Sequence, residues 1–156
     1  TNGCIAIGPL GEFFVGSRTR WITPGDDNFG FARWAEERRE ELLQLGEGRH
    51  WGEWWGAGIQ RRYGLTEKRF SLFNTSRWNE TPPPACCSVV PVLYSGIFTS
   101  TAADEALEWL RANGSKAAPG FLKPEGIIIY QAAARMYFKK TLDKDDEWKG
   151  KQAVAA

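Results

Sequence analysis

The sequence predicts an α+β fold, antiparallel sheets with flanking helices, on three observations. A hairpin opens the chain, two segments carry the apolar spacing of amphipathic helices, and a second hairpin stands near the end. The opening hairpin runs from GCIAIG at Gly3 to Gly8, through a turn at Pro9, Leu10 and Gly11, into EFFVGS at Glu12 to Ser17. Its first strand starts at residue 3 with nothing ahead of it, and a missing upstream strand would leave a sheet edge exposed. From Phe29 to Leu45, apolar Phe31, Trp34, Leu42, Leu43 and Leu45 are spaced among charges as in a helix, which Gly46 closes.

Trp51 to Gly58 and Arg69 to Asn74 read as strands joined by a basic loop. The TPPP tract around Pro82 to Pro84 is a rigid connector, because apolar VVPVLY follows soon after. A second helix is predicted over Thr101 to Asn113, with Thr101 as N-cap, Asp104 and Glu105 in the first turn, and Gly114 as the stop. GIIIY from Gly126 and MYFKKTL from Met136 pair as the late hairpin, and the polar residues from about Asp143 onward are expected to fray. One domain over residues 1–150, with a short tail at 151–156, suits a chain of 156 residues, which would bury about 70% of its unfolded surface.

Twenty basic against nineteen acidic residues give a net charge of +1, so any polyanion site has to be a local groove. Eight Trp, nine Phe and four Tyr supply flat faces for core filling and for stacking on bases. Cys4, Cys86 and Cys87 are an odd number, and the adjacent pair is poor disulfide geometry, which points to a reducing, cytoplasmic setting. His50 is the only histidine and there is no Cys-x-x-Cys, so the expected metal is a hard cation on oxygen ligands and not zinc. No apolar run is long enough to span a bilayer, and no membrane partner is expected.

Two segments carry the chemistry, WGEWWGAGIQRRYG from Trp51 and PEGIIIY from Pro124. Each holds one acid, Glu53 or Glu125, beside a glycine and among strand-forming residues, where an unpartnered carboxylate is not expected. Strand alternation puts Glu53 on the face of Trp51 and opposite Trp54, and the glycine beside it would let a ligand approach the backbone. A carboxylate next to aromatic rings suits a nucleoside, although a single Gly-Glu pair reads first as a structural glutamate. Glu125 lies one strand from Lys139 and Lys140, a carboxylate and an ammonium of the kind phosphoryl or nucleotidyl transfer uses, or else a hairpin salt bridge. Arg18 and Arg20 at the end of the second strand suit phosphate oxygens, or simply keep an edge soluble. In FSLF, Phe70 and Phe73 point to opposite faces, so at most one of them can stack on a base.

Taken in order, these segments resemble the nucleotidyltransferase domain of ATP-dependent RNA ligases, of the kind typified by the second RNA ligase of phage T4. The wider group includes DNA ligases and mRNA capping enzymes. The resemblance runs from Thr1 to about Gly150 and is most specific over GEWWGAGIQRRYG and FSLFN. It implies a ligase-type nucleotidyltransferase fold in which Glu53 binds ribose, Phe73 stacks on adenine and Arg18 contacts phosphate. Glu125 would then serve Mg²⁺ and Lys139 the α-phosphate of ATP, with both acids expected in one cleft.

The resemblance further implies a cytoplasmic RNA repair chemistry in which a monomer seals 5′-phosphate and 3′-hydroxyl RNA ends through enzyme-AMP and RNA-adenylate. Where many relatives have a second lysine two residues after the first, this chain has Thr141, and Lys140 points to the other face. The attacking lysine of Lys-x-Asp-Gly has no match, because the chain opens at Thr1, Asn2 and Gly3 as if cut just after that motif. Two rival expectations follow: a non-catalytic nucleotide- or RNA-binding module without the nucleophile, and a DNA-ligase-type or capping-type nucleotidyltransferase.

Overall fold

The structure, a computed structural model, describes residues 1–151. The remainder of the expected tail, 152–156, lies outside the described residues. The chain is α+β and forms two compact units that divide between Val90 and Pro91.

The first unit is built on a six-stranded sheet. Its strands are β1 (Asn2–Ile7), β2 (Phe13–Ser17), β3 (Trp21–Ile22), β4 (Gly48–Gly56), β5 (Lys68–Leu72) and β6 (Cys87–Val89), in the order β3-β2-β1-β4-β5-β6. The opening hairpin forms as expected, but β1 is interior, flanked by β2 and β4, and the sheet edges are β3 and β6. The sheet is mixed: β6 runs parallel to β5, whereas the sequence reading expected only antiparallel pairing. The reversal comes from a helix absent from that reading, α3 (Thr75–Glu80), which with the proline tract carries the chain back over the sheet. Asn74, read as the end of a strand, instead caps α3, its side chain accepting from Arg77 N at 3.1 Å.

The long helix expected over Phe29 to Leu45 is broken into α1 (Phe31–Glu37), α2 (Arg39–Leu42) and a 3₁₀ turn at Leu43–Leu45. The break falls at Arg38, at φ −115° and ψ 20°. Between Ala35 and Leu42 every residue is charged, so no buried contact holds that stretch straight. Asp27 starts α1 by accepting from Ala32 N (2.8 Å) and Arg33 N (3.0 Å).

Alternation along the strands sends Ile5, Ile7, Val15, Trp54, Phe70 and Leu72 to one face, where they meet Phe31, Ala32 and Ala35 of α1 and Leu42 and Leu45 beyond it. Four rings form the centre of this core. Phe31 lies 5.2 Å from Trp54 and 4.9 Å from Phe70, while Trp34 lies 5.0 Å from Trp54. Two register partners, Gly3 of β1 and Gly52 of β4, leave the space they occupy. A Cβ at Gly3 would stand 2.6 Å from the Phe31 ring, and one at Gly52 would stand 2.6 Å from the Phe70 ring.

The second unit holds α4 (Ser100–Asn113) and a three-stranded sheet of β7 (Gly126–Gln131), β8 (Met136–Thr141) and β9 (Lys144–Lys151). The late hairpin forms as expected, but the segment from Asp143, expected to fray, supplies a third strand paired to β8. The N-cap of α4 is Thr99, which accepts from Ala102 N at 3.0 Å, and not Thr101. With the start two residues earlier, Asp104 and Glu105 fall beyond the first turn. Leu107 and Leu110 of α4 pack on Ile127 of β7, and Gly114 at φ 77° ends the helix. Among the described residues no helix is long and apolar enough to cross a membrane.

His50, on the core face of β4, is 4% exposed and bonded through Nε2 to Gly46 O at 2.8 Å. Burial lowers its pKa below the usual 6.5, and the Arg77 guanidinium acts in the same direction against the hydrogen bond to Gly46. The folded chain therefore resists a proton that the unfolded chain accepts. Stability from this residue is whole above about pH 6.5 and declines as pH falls below it. The expected result is a lower urea midpoint at about pH 5.5 than at about pH 7.5, with a smaller drop in His50→Gln. An equal drop in both proteins would clear His50 of the effect.

Candidate functional site

The face of the first sheet away from α1 carries the candidate nucleoside residues. Trp51, Glu53 and Trp55 alternate onto it from β4, and Glu53 stands opposite Ser71 of β5. Phe73 follows Ser71 by two residues, and its N–H bonds to Trp51 O at 2.9 Å, extending the ladder by one step. An acid, Glu53, and three aromatic residues, Trp51, Trp55 and Phe73, thus share one face of adjacent strands. Glu53 is half-buried, and its Oε1 accepts from the Thr1 ammonium at 2.6 Å. Phe70 faces the core, fully buried, whereas Phe73 keeps partial exposure.

Behind Glu53 the face is tied together by hydroxyls. Trp55 Nε1 donates to Ser71 Oγ at 2.8 Å, and Ser71 Oγ lies 2.7 Å from Ser88 Oγ of β6. This chain was not foreseen from sequence, although the period-2 pattern of β4 and β5 does place Trp55 and Ser71 together. Cys4, on the same face of β1, is 1% exposed, and burial pushes its thiol up to about 11. It stays protonated at neutral pH and acts as packing, so it is no candidate nucleophile.

The glycine beside Glu53 has a role other than the expected one. A Cβ at Gly52 would lie 2.5 Å from Ser71 O and 2.6 Å from the Phe70 ring, so glycine is needed here by the neighbouring strand and the core. Ligand approach is not what demands it.

Arg18 and Arg20 do not stand on a strand. β2 stops at Ser17, Ser17 N bonds to Arg20 O at 2.8 Å, and Arg18 and Thr19 are the two-residue loop to β3. Arg20 is taken by Asp26, with Nη1 to Oδ2 at 2.6 Å. Arg18 is exposed and directly follows Ser17, the partner of Gly3, which puts it at the end of the sheet where Glu53 lies.

Glu125 and Lys139 belong to the second unit. Lys139 pairs in register with Ile128, and its ammonium makes an ion pair with Glu125 Oε1. Both side chains are near half-exposed, so the pair contributes about 0–1 kcal/mol to stability. Lys140 is on the opposite face, in register with buried Ile127, and its ammonium pairs with Asp104 of α4. Among the described residues no group of three or more His, Cys, Asp or Glu side chains is placed to hold a metal ion.

A hollow of about 610 Å³ between Asp27, Arg33, Trp34, Trp54 and Lys68 is on the helix-bearing side of the first sheet and includes none of the candidate residues. Lys68 closes one wall by donating to Phe29 O at 2.7 Å, so that wall serves the α1 connection. No family model, curated protein or solved structure matches this chain.

The contacts at Gly52 predict that Gly52→Ala lowers stability by about 1–3 kcal/mol, read as a shift in the urea midpoint. No shift at all would mean that β5 moves aside without cost.

Proposed function

We propose that the chain is the greater part of the catalytic domain of an ATP-dependent RNA ligase, with a ligase-type nucleotidyltransferase fold. The observation that carries the reading is the shared face of Glu53, Trp51 and Phe73 on adjacent strands. There a carboxylate can accept from a ribose hydroxyl while a ring covers the base. In this reading Arg18 meets phosphate and Lys139 neutralises charge on the α-phosphate once the ion pair with Glu125 opens. RNA ends, 5′-phosphate and 3′-hydroxyl, are the substrates.

Glu125 is a carboxylate beside a lysine, and among the described residues it belongs to no group of three or more acid, His or Cys side chains placed to hold a metal ion. That donor set fits Mg²⁺ carried in on the phosphates of ATP, which keeps several waters, and not an ion caged by protein alone. Bound there, Mg²⁺ would supply charge neutralisation at the phosphates.

The lysine nucleophile required by the reading is not matched within residues 1–156. Nucleotide binding is therefore tested on this chain, and adenylate formation on a chain carrying Lys-x-Asp-Gly ahead of Thr1. ATP should quench Trp fluorescence, and Glu53→Ala or Phe73→Ala should weaken its binding by about tenfold or more. On the extended chain, label from α-phosphate-labelled ATP should enter the protein, and Glu53→Ala or Lys139→Ala should abolish this with the fold intact. Full labelling in either variant removes that residue's role. ATP binding with no label in any variant favours a non-catalytic nucleotide-binding module, and equal sealing of nicked DNA favours a DNA-ligase-type enzyme.

A further inference from the structure

At the β3 edge of the same sheet face, two large rings stand out from the surface. Phe14 of β2 is 54% exposed and Trp21 of β3 is 53% exposed. Their centroids are 5.8 Å apart, with planes inclined at 51°. Trp21 lies over its register partner Gly16, where a Cβ would stand 3.1 Å from the indole. Covering a glycine accounts for one side of the indole and leaves Phe14 beside it unexplained.

The rings border a hollow of about 300 Å³ whose lining also includes the small residues Ala6, Gly8 and Gly48 and the charged Glu47 and Arg49. That volume is at the lower end for small-molecule sites and suits one planar group. Register places Phe14, Ala6 and Arg49 in one row across β2, β1 and β4, and the Arg49 guanidinium lies 5.7 Å from the Trp21 ring centroid. The next row runs from Trp21 through Gly16 and Cys4 to Trp51, the residue beside the proposed adenosine site. The loop after β3 is tied by the Arg20 to Asp26 ion pair and the Thr23 to Asp26 bridge.

We propose that Phe14, Trp21 and Arg49 form a stacking site for an unpaired base of an RNA strand lying across this face. The rings offer π-faces to the base, Arg49 supplies charge to the adjoining phosphate, and exposed Arg18 in the β2–β3 loop extends that charge to the edge. Glu47 offers an acceptor to a base amino group and keeps phosphate on the arginine side. The choice of RNA as the strand rests on the proposed ligase reading; the stacking chemistry does not.

The test is fluorescence polarisation with a labelled single-stranded RNA of about 12 nucleotides at about 50 mM salt, alongside ATP titration of the same proteins. Trp21→Ala and Phe14→Ala should each weaken RNA binding by about tenfold, Trp21→Phe should retain most of it, and ATP affinity should stay within about twofold. Arg49→Gln should weaken binding and lower the slope of log affinity against log salt by about one. Glu53→Ala should do the reverse, losing ATP and keeping RNA. If Trp21→Ala fails to fold by circular dichroism, Phe14→Ala and Arg49→Gln decide. Absence of RNA binding by the unaltered chain, or unchanged affinity in these variants, overturns the proposal. Ring-dependent RNA binding without any ATP binding would keep this site and reject the ligase reading.

Discussion

The packing of Phe31 and Phe70 against two facing glycines, Gly3 and Gly52, is the constraint on which the first unit is built. Two side chains are missing at one point of the β1–β4 ladder, and two rings fill the space, one from α1 and one from β5. Loss of either ring would cost about 3–5 kcal/mol, a large share of the stability of a small domain. The helix cannot shift along the sheet without withdrawing Phe31 from its place. Strand β5 cannot slip against β4 without driving Phe70 into a residue that carries a Cβ. One local feature thus sets both the helix position and the register that brings Glu53 opposite Ser71.

The WGEWWG segment is best understood as a strand with separate duties on its two sides. Gly52 and Trp54 serve the core, and the Trp54 indole N–H is satisfied by Phe29 O at 3.1 Å. Glu53 and Trp55 serve the other face, where the Trp55 indole is held by Ser71. Gly56 ends the strand at φ 110°, close against Glu67 O, where a side chain has no room. Of the six residues, Glu53 alone carries a charge, and the contact given for it is the Thr1 ammonium at 2.6 Å.

Legibility from sequence followed the range of the interactions involved. The two hairpins could be read because a tight turn and alternating strands are local, and Gly114 marked the end of α4 correctly. The faces of Glu53, Trp54, Phe70 and Phe73 could be read for the same reason, since strand period alone decides them. What escaped depended on distant partners. The parallel strand β6 needs the return through α3, whose six residues TSRWNE bury only Trp78 and so carry no apolar period. The reason for Gly52 lies in Phe70, which is remote from it in sequence. Arg18 and Arg20 were placed on a strand that in fact ends at Ser17, because nothing in GSRTRW announces a two-residue loop.

In the β7–β8 hairpin, consecutive lysines on opposite faces each have an acid, Lys139 with Glu125 and Lys140 with Asp104. This arrangement makes the charges poor guardians of alignment. A slip of β8 by one residue in one direction would deliver Lys140 to the place of Lys139, and in the other direction would deliver Lys139 to the place of Lys140. Either way a lysine would still find a carboxylate. Only the uncharged residues object, because either slip turns Phe138 outward from its place beside Phe98, 6.1 Å between ring centroids. Alignment of this hairpin is therefore a property of its apolar side, and the ion pairs can open without loosening the strands that present them.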